Sequence, residues 1–358
     1  MGVSTSSGRG FRSGAFAALC AAALFGIGTP LAKLLLAHTS PWLLAALLYL
    51  GSGAGLWLLR LARRAPAVHL PPGEWRWLLG AVVAGGVMAP VLLMIGLAAM
   101  SASSAALLLN AEAVFTALLA WFAFKENFDR RIALGMIAIV LGAVVLSWPA
   151  DGRVKFASAW PALSILAACF AWAVDNNLTR KVALADAAWI AMVKGLAAGT
   201  TNFAIALSFG AVWPGALAVG GAAVVGFLSY GASLALFVIA LRQLGSARTG
   251  AYFSVAPFFG AGVAVLMLHE AVTLTLLLGG ALMAIGVMLH LTEHHAHEHS
   301  HALLEHEHTH THDGDDPHHD HAHAVPVAPG TRHTHRHRHV PVTHGHAHSP
   351  DAHHQHGH

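Results

Sequence analysis

Between Gly14 and Leu291 the chain is a succession of apolar stretches separated by very short polar breaks. A helix of about 20 apolar residues crosses the hydrocarbon layer of a bilayer, and only helices or closed barrels satisfy their own backbone there. The succession therefore predicts an all-α integral membrane protein. Composition agrees: 56% of the 358 residues are hydrophobic and only 10% charged, against roughly a quarter charged in soluble domains.

Ten spans are expected, at 14–36, 41–61, 75–99, 101–124, 131–148, 158–178, 187–209, 216–241, 245–268 and 272–291. Breaks fall where turn formers or charges cluster, as in "HTSP", "RRAPAVHLPPGE", "KENFDRR", "PADGRVK" and "LTRKVALAD". At "MSASS" and "LGSA" two spans meet almost without a loop, so eight or nine helices is the competing count. A cleaved signal peptide is a second reading of the N-terminus. The first apolar run continues to Leu36, well past a signal's apolar core, which favours a retained helix.

Orientation follows from the positive charges. With residues 1–13 cytoplasmic, the inward loops and flanks hold thirteen Lys and Arg, while the outward side holds Lys33, Arg153 and Lys155. With ten spans, that bias predicts a multi-pass protein with both termini cytoplasmic. The two cysteines, Cys20 and Cys169, lie inside apolar spans and read as small core residues.

The sequence also matches itself. A shift of 144 residues pairs Glu126 with Glu270, Gly135 with Gly279 and Gly142 with Gly286, and a shift of 147 pairs Phe25 with Trp172 and Lys33 with Arg180. Two copies of five helices are implied, 14–148 and 158–291. Five is odd, so the second copy is inverted, as in secondary transporters that bind substrate near the midplane between rocking halves.

The segments "AMSASSAALLLNAEAVFTALLAWFAFKENFDRRIALGMIAIVLGAVVL" and "GSARTGAYFSVAPFFGAGVAVLMLHEAVTLTLLLGGALMAIGVML" resemble the two EamA repeats of the drug/metabolite transporter superfamily. The resemblance covers roughly residues 14–291. It implies a ten-helix permease of the inner membrane, in many members an exporter of amino acids, metabolites or toxic compounds. One departure bears on bending: the proline usual in the fourth and ninth helices is kept as Pro257 but replaced by Ala113, so a symmetric pair of kinks is not expected. The usual Gly-Glu at the ends of those helices appears as Lys125-Glu126 and His269-Glu270.

Ionisable groups inside spans are costly and so are candidates for function. They are Lys33, Glu112, Asp175 and Lys194, with Asn176 beside Asp175 and Thr201 seven residues after Lys194. At 100° per residue, Ser101, Ser104 and Glu112 share one face of the fourth helix and Asn110 points away. A cavity edged by both signs of charge suits a zwitterion such as an amino acid. The competing reading is that Glu112 or Asp175 only pairs with Lys194 to hold helices together. A proton carried on Glu112 is a further alternative. The glycines of "GSGAG" (Gly51, Gly55) and the paired ones of the fifth and tenth spans fit close packing, within a monomer or in a homodimer.

From His294 to His358 the chain changes character, with 24 histidines in 65 residues. The candidate metal ligands are His294, His295, His297, His299, His301, His306, His308, His310 and His312, then His318, His319, His321 and His323, then His333, His335, His337, His339, His344, His346 and His348. Neutral imidazole suits Zn, Ni, Co and Cu. Residues 292–358 read as a disordered cytoplasmic tail that binds such ions, or that only buffers and solubilises.

No Walker motif and no nucleophile, base and orienter are apparent, so neither an enzyme nor a nucleic-acid partner is expected, and transport needs no cofactor. The leading expectation is a small-metabolite permease. A transition-metal permease fed by the tail is second, and a membrane-anchored metal buffer without transport is third.

Overall fold

The computed structural model describes residues 6–124, 130–148, 156–182, 185–244, 249, 252–291, 296–300, 304–311, 332–339 and 343–347. The chain divides into two units, Met1–Glu293 and His294–His358.

The first unit is helical in its described residues, and each of the ten expected stretches contains helix. In order these are α1 (Ser6–Leu35), α2 (Pro41–Ala62), α3 (Trp75–Ala81), α4 (Ala89–Ala98), α5 (Ala102–Leu108), α6 (Ala111–Phe124), α7 (Arg130–Ser147), α8 (Phe156–Thr179), α9 (Ala187–Ser208), α10 (Ala216–Val225), α11 (Ser233–Leu244), α12 (Ala256–Leu268) and α13 (Leu274–Leu291). Among the described residues, six segments are long and apolar enough to cross a membrane, and three further apolar helices are shorter. Large apolar side chains also face outward, Leu217 at 92% and Leu266 at 76% exposure among them. An outward surface of this kind suits lipid and is a liability in water.

Local chemistry starts the helices where the sequence breaks. Ser40 and Asp186 cap α2 and α9, their side-chain oxygens accepting the Leu43 and Trp189 N–H groups, and Pro41 occupies the first turn of α2, where its missing N–H costs nothing. Ser101 does the same for α5 by accepting from Ser104, so "MSASS" is a genuine turn between α4 and α5. At "LGSA" α11 ends on Leu244, and residues 245–247 lie outside the described residues.

The repeat is visible in the element boundaries. α7 and α13 begin and end 144 residues apart, and so do two π-helical segments, π1 (Val82–Met88) inside the third span and π2 (Gly226–Ala232) inside the eighth. Contacts obey the same relation. A Cβ on Gly28 would meet Ser229, and one on Gly85 would fall on the Asp175 carboxylate. Shifting Gly28 by 147 and Gly85 by 144 exchanges the two contacts, so both offsets read from the sequence hold. Glycines let symmetric neighbours cross closely: Gly142 lies against the Gly279 backbone and Gly286 against that of Gly135, so α7 and α13 pack on each other within one chain. Gly53 of α2 lies against Gly195 of α9 in the same manner.

Two expectations about the fourth span change. It is not one helix, because Leu109 and Asn110 form a turn between α5 and α6, and the single-face argument across Ser101, Ser104 and Glu112 does not apply. Tight bonds, Asn110 N–H to Leu107 O and Glu112 N–H to Leu109 O, replace the helical ladder there. A matching turn at Ser254–Val255 precedes Pro257. The interruptions are therefore symmetric although Ala113 stands opposite Pro257, because local hydrogen bonding can break a helix without proline.

The second unit corrects the expectation of a tail without regular structure. Its described residues form β1 (Ala296–Ser300), β2 (Leu304–Thr311), β3 (Arg332–His339) and β4 (Thr343–Ala347). β1 pairs antiparallel with β4, and β2 with β3. Composition argued for disorder, but histidine at alternate positions is also the period of a strand.

His269 ends α12 at φ +52°, a left-handed position that glycine fills without strain. His269→Gly should therefore raise stability by about 1 kcal/mol, read as a higher midpoint of thermal unfolding in detergent. Gly142→Val should lower it by roughly 1–3 kcal/mol through overpacking.

Candidate functional site

The π segments determine where polar side chains gather. A π turn shifts the backbone ladder by one residue and leaves carbonyls without their usual partner, which in lipid must be satisfied by something else. At π1 the Gly85 carbonyl accepts Tyr49 Oη–H at 2.8 Å and Trp172 Nε1–H at 3.0 Å, and the Gly86 carbonyl accepts Asn202 Nδ2–H at 3.1 Å. Side chains from α2, α8 and α9 thus converge on one point of the third span.

The ionisable residues sit beside it. Asp175 is buried, and a Cβ on Gly85 would occupy the space its carboxylate fills, so the glycine admits the charge. Lys194 of α9 donates to both Asp175 oxygens at 2.6 Å, and Thr179 Oγ1–H donates to Oδ1 at 2.8 Å. On α6, Glu112 Oε1 accepts Asn176 Nδ2–H at 2.8 Å, and Asn176 also reaches Thr116 Oγ1 at 3.4 Å. Glu112 is half-buried and Asn176 exposed, and the charges of Asp175 and Lys194 both act on Glu112. Oε2 of Glu112 takes no hydrogen bond among the described residues. The break in the fourth span adds one contact, Cys169 Sγ–H toward the freed Leu108 carbonyl at 3.7 Å.

Of the six side chains expected to share a cavity, the structure brings four together: Glu112, Asp175, Asn176 and Lys194. Thr201 is exposed and donates to Ala197 O of its own helix at 2.8 Å. Lys33 lies elsewhere. Its ammonium donates to Leu97 O (2.6 Å), Ala98 O (3.1 Å) and Met100 O (2.9 Å), so all three of its hydrogens close the C-terminus of α4. Glu270 completes a clamp on the same turn by accepting Ala102 N–H at 2.6 Å and Ser103 N–H at 2.9 Å at the start of α5. Glu126, its repeat mate, lies outside the described residues.

Counting 1.5 Å per residue, Gly85 is about 18 Å from the clamp along the third span and Glu112 about 15 Å along the fourth. These distances are close to half of a ~30 Å hydrocarbon layer, which puts the polar cluster near mid-depth when the clamp is at one face. Sequence reasoning missed Tyr49, Trp172 and Asn202 as members of the cluster. Gly85-Gly86, a close-approach signal, was the available clue.

Eleven of the proposed metal-ligand histidines lie on the strands of the second unit. His294, His295, His301, His312, His318, His319, His321, His323 and His348 lie outside the described residues. Among the described residues no three of His, Cys, Asp and Glu meet in a metal-binding group.

Comparison with known proteins accords with the repeat. The chain is 28% identical over 293 residues to an "Uncharacterized transporter" of Methanothermobacter thermautotrophicus, a match covering 76% of this chain and 84% of that protein. A protein known from a crystal structure shares the fold with a TM-score of 0.59 at 20% identity, over 76% of this chain and 94% of its own. Residues 12–148 and 159–292 each match the EamA-like transporter family, so the two repeats extend over most of the chain, and the protein belongs to that family of membrane transporters.

Proposed function

We propose that the chain is a ten-span secondary permease of the inner membrane, with both termini cytoplasmic, that exports a small zwitterion of the amino-acid class by alternating access. The observation that carries this reading is the mid-depth cluster in which one carboxylate is committed to a cation and another is not. Asp175 is bound to Lys194, whereas Glu112 keeps one oxygen free of hydrogen bonds from the described residues, beside the exposed amide of Asn176. A substrate ammonium would take Glu112, and a substrate carboxylate would compete with Asp175 for Lys194. Carboxylate, amide, hydroxyl and ammonium groups suit such a ligand better than a soft divalent ion, which favours the metabolite over a metal path.

In this reading the clamp at Lys33 and Glu270 is the closed gate of one face. Access from that side requires the α4–α5 turn to part from α1 and from the segment after α12, breaking up to five charge-assisted hydrogen bonds. Substrate binding would lower that cost by drawing Lys194 off Asp175 and loosening α8 from α9.

The test is exchange of labelled amino acids in proteoliposomes of the intact chain against protein-free vesicles. Glu112→Gln should abolish exchange without loss of folded protein, and unaltered exchange would defeat the assignment. Asp175→Asn should destabilise the protein by up to about 3 kcal/mol by leaving the half-buried Lys194 without its charge partner, and Asp175→Asn with Lys194→Met should recover most of that loss. The folded double variant should still fail to exchange substrate. Exchange at the original rate would mean that the ion pair is only a strut. Lys33→Met should change turnover and thermal stability while leaving substrate affinity unchanged, since Lys33 is spent on the clamp.

A further inference from the structure

Each charged residue of the polar cluster has an image in the other repeat, and none of the images is polar. Asp175 maps to Gly28 by the shift of 147 and Glu112 to Ala256 by the shift of 144. Lys194 maps to Leu48, since α2 and α9 begin and end 146 residues apart. Leu48 and Ala256 are buried. Rings stand around these images instead. Trp172, which donates to the Gly85 carbonyl, maps to Phe25, and Gly86 of π1 maps to Tyr230 of π2. Inversion about the midplane leaves mid-depth unchanged, so Tyr230 lies at the level of the charged cluster.

Phe25 and Tyr230 begin a run of rings. Their centroids are 5.8 Å apart, Phe253 lies 5.5 Å from Phe25, and Phe237 lies 4.9 Å from Phe253. These separations fall in the range where aromatic rings attract one another. The four side chains come from α1, π2, α11 and the segment before α12, and all are half-buried. The Tyr230 hydroxyl takes no hydrogen bond among the described residues and stays accessible. An unpaired phenol at mid-depth is costly against lipid, so this edge of the rings faces a space that admits polar groups.

Tyr49 joins the two halves. Its ring centroid is 5.7 Å from that of Tyr230, and its hydroxyl donates at 2.8 Å to the carbonyl of Gly85, the residue against which the Asp175 carboxylate packs. One tyrosine side chain thus spans the distance from the charged half to the aromatic half. An amino acid that carries its own ring has the same reach.

We propose that the rings of Phe25, Tyr230 and Phe253 form the side-chain subsite of the transport site and select amino acids with an aromatic or similarly large apolar side chain. This inference rests on the reading of the polar cluster as the seat of a zwitterion. The substrate's ammonium and carboxylate engage Glu112 and Lys194, and its side chain passes Tyr49 to lie among the rings. A small side chain forgoes that contact.

The experiment exchanges labelled phenylalanine and labelled alanine in the same proteoliposomes of the full chain, at concentrations low enough for both rates to report kcat/KM. The ratio of the two rates does not depend on how much of the protein is folded. Phenylalanine should exceed alanine by roughly tenfold or more, since even one methylene in an apolar pocket is worth about tenfold. Phe25→Leu with Phe253→Leu should lose most of that preference while alanine exchange persists. Tyr230→Phe keeps the ring and should keep the preference. Phe122→Leu removes an outward ring that is 72% exposed and should keep it too. Alanine exchanged as fast as phenylalanine, or a ratio unmoved by the double variant, would overturn the subsite and leave zwitterion transport standing. Failure of both amino acids to exchange would remove the subsite and the zwitterion reading together.

Discussion

Inside a bilayer no water is available to a carbonyl or N–H that leaves its helix, and the polar architecture of this protein follows from that constraint. The chain departs from the regular ladder at π1, at π2, at the turns after Leu108 and before Ala256, and at the α4–α5 turn. Where the partners are described, each departure is met by a side chain from a distant span. Tyr49, Trp172 and Asn202 serve π1, Cys169 serves the break after Leu108, and Lys33 and Glu270 serve the α4–α5 turn. The irregular backbone thereby fixes which helices must be neighbours, more tightly than the non-directional packing of Leu and Ala could.

The pseudo-symmetry supplies the scaffold, and its local failure supplies the site. Gly28 against Ser229 and Asp175 against Gly85 are the same contact in the two halves. Against Gly28 a small hydroxyl fills the space, and against Gly85 a carboxylate does and brings Lys194 with it. A symmetric scaffold can rock between two equivalent states, whereas an asymmetric charge lets one side of it recognise a ligand. Aligned glycines at Gly142 and Gly279, or at Gly53 and Gly195, keep the crossings close without adding side-chain locks that would favour one state.

Most of the fold was legible because its determinants are long and periodic. Twenty apolar residues announce a span whatever their order, and Glu126 with Glu270 or Gly142 with Gly286 announce a repeat. The Asp175–Lys194 pair was foreseen as one of two readings, since charges buried in lipid have few ways to be satisfied. Lys33 misled because its position in a span is only half of its environment. Its ammonium reaches past its own helix to close another, which depends on where α4 stops. Thr201 misled because a hydroxyl in lipid can satisfy itself on its own helix. The interruption at Leu109–Asn110 was hidden for a related reason: proline is the readable signal for a break, and here an asparagine and a set of short hydrogen bonds take its place.

The tail poses the converse problem, in which one pattern carries two meanings. Histidine at every second residue is a low-complexity composition, and it is also the binary pattern of a strand with one histidine face and one mixed face. The two meanings part at the partner strand. A chelator needs only many imidazoles, but the pairing of Glu305 with Arg338 and Glu307 with Arg336 requires a particular strand opposite at a particular register.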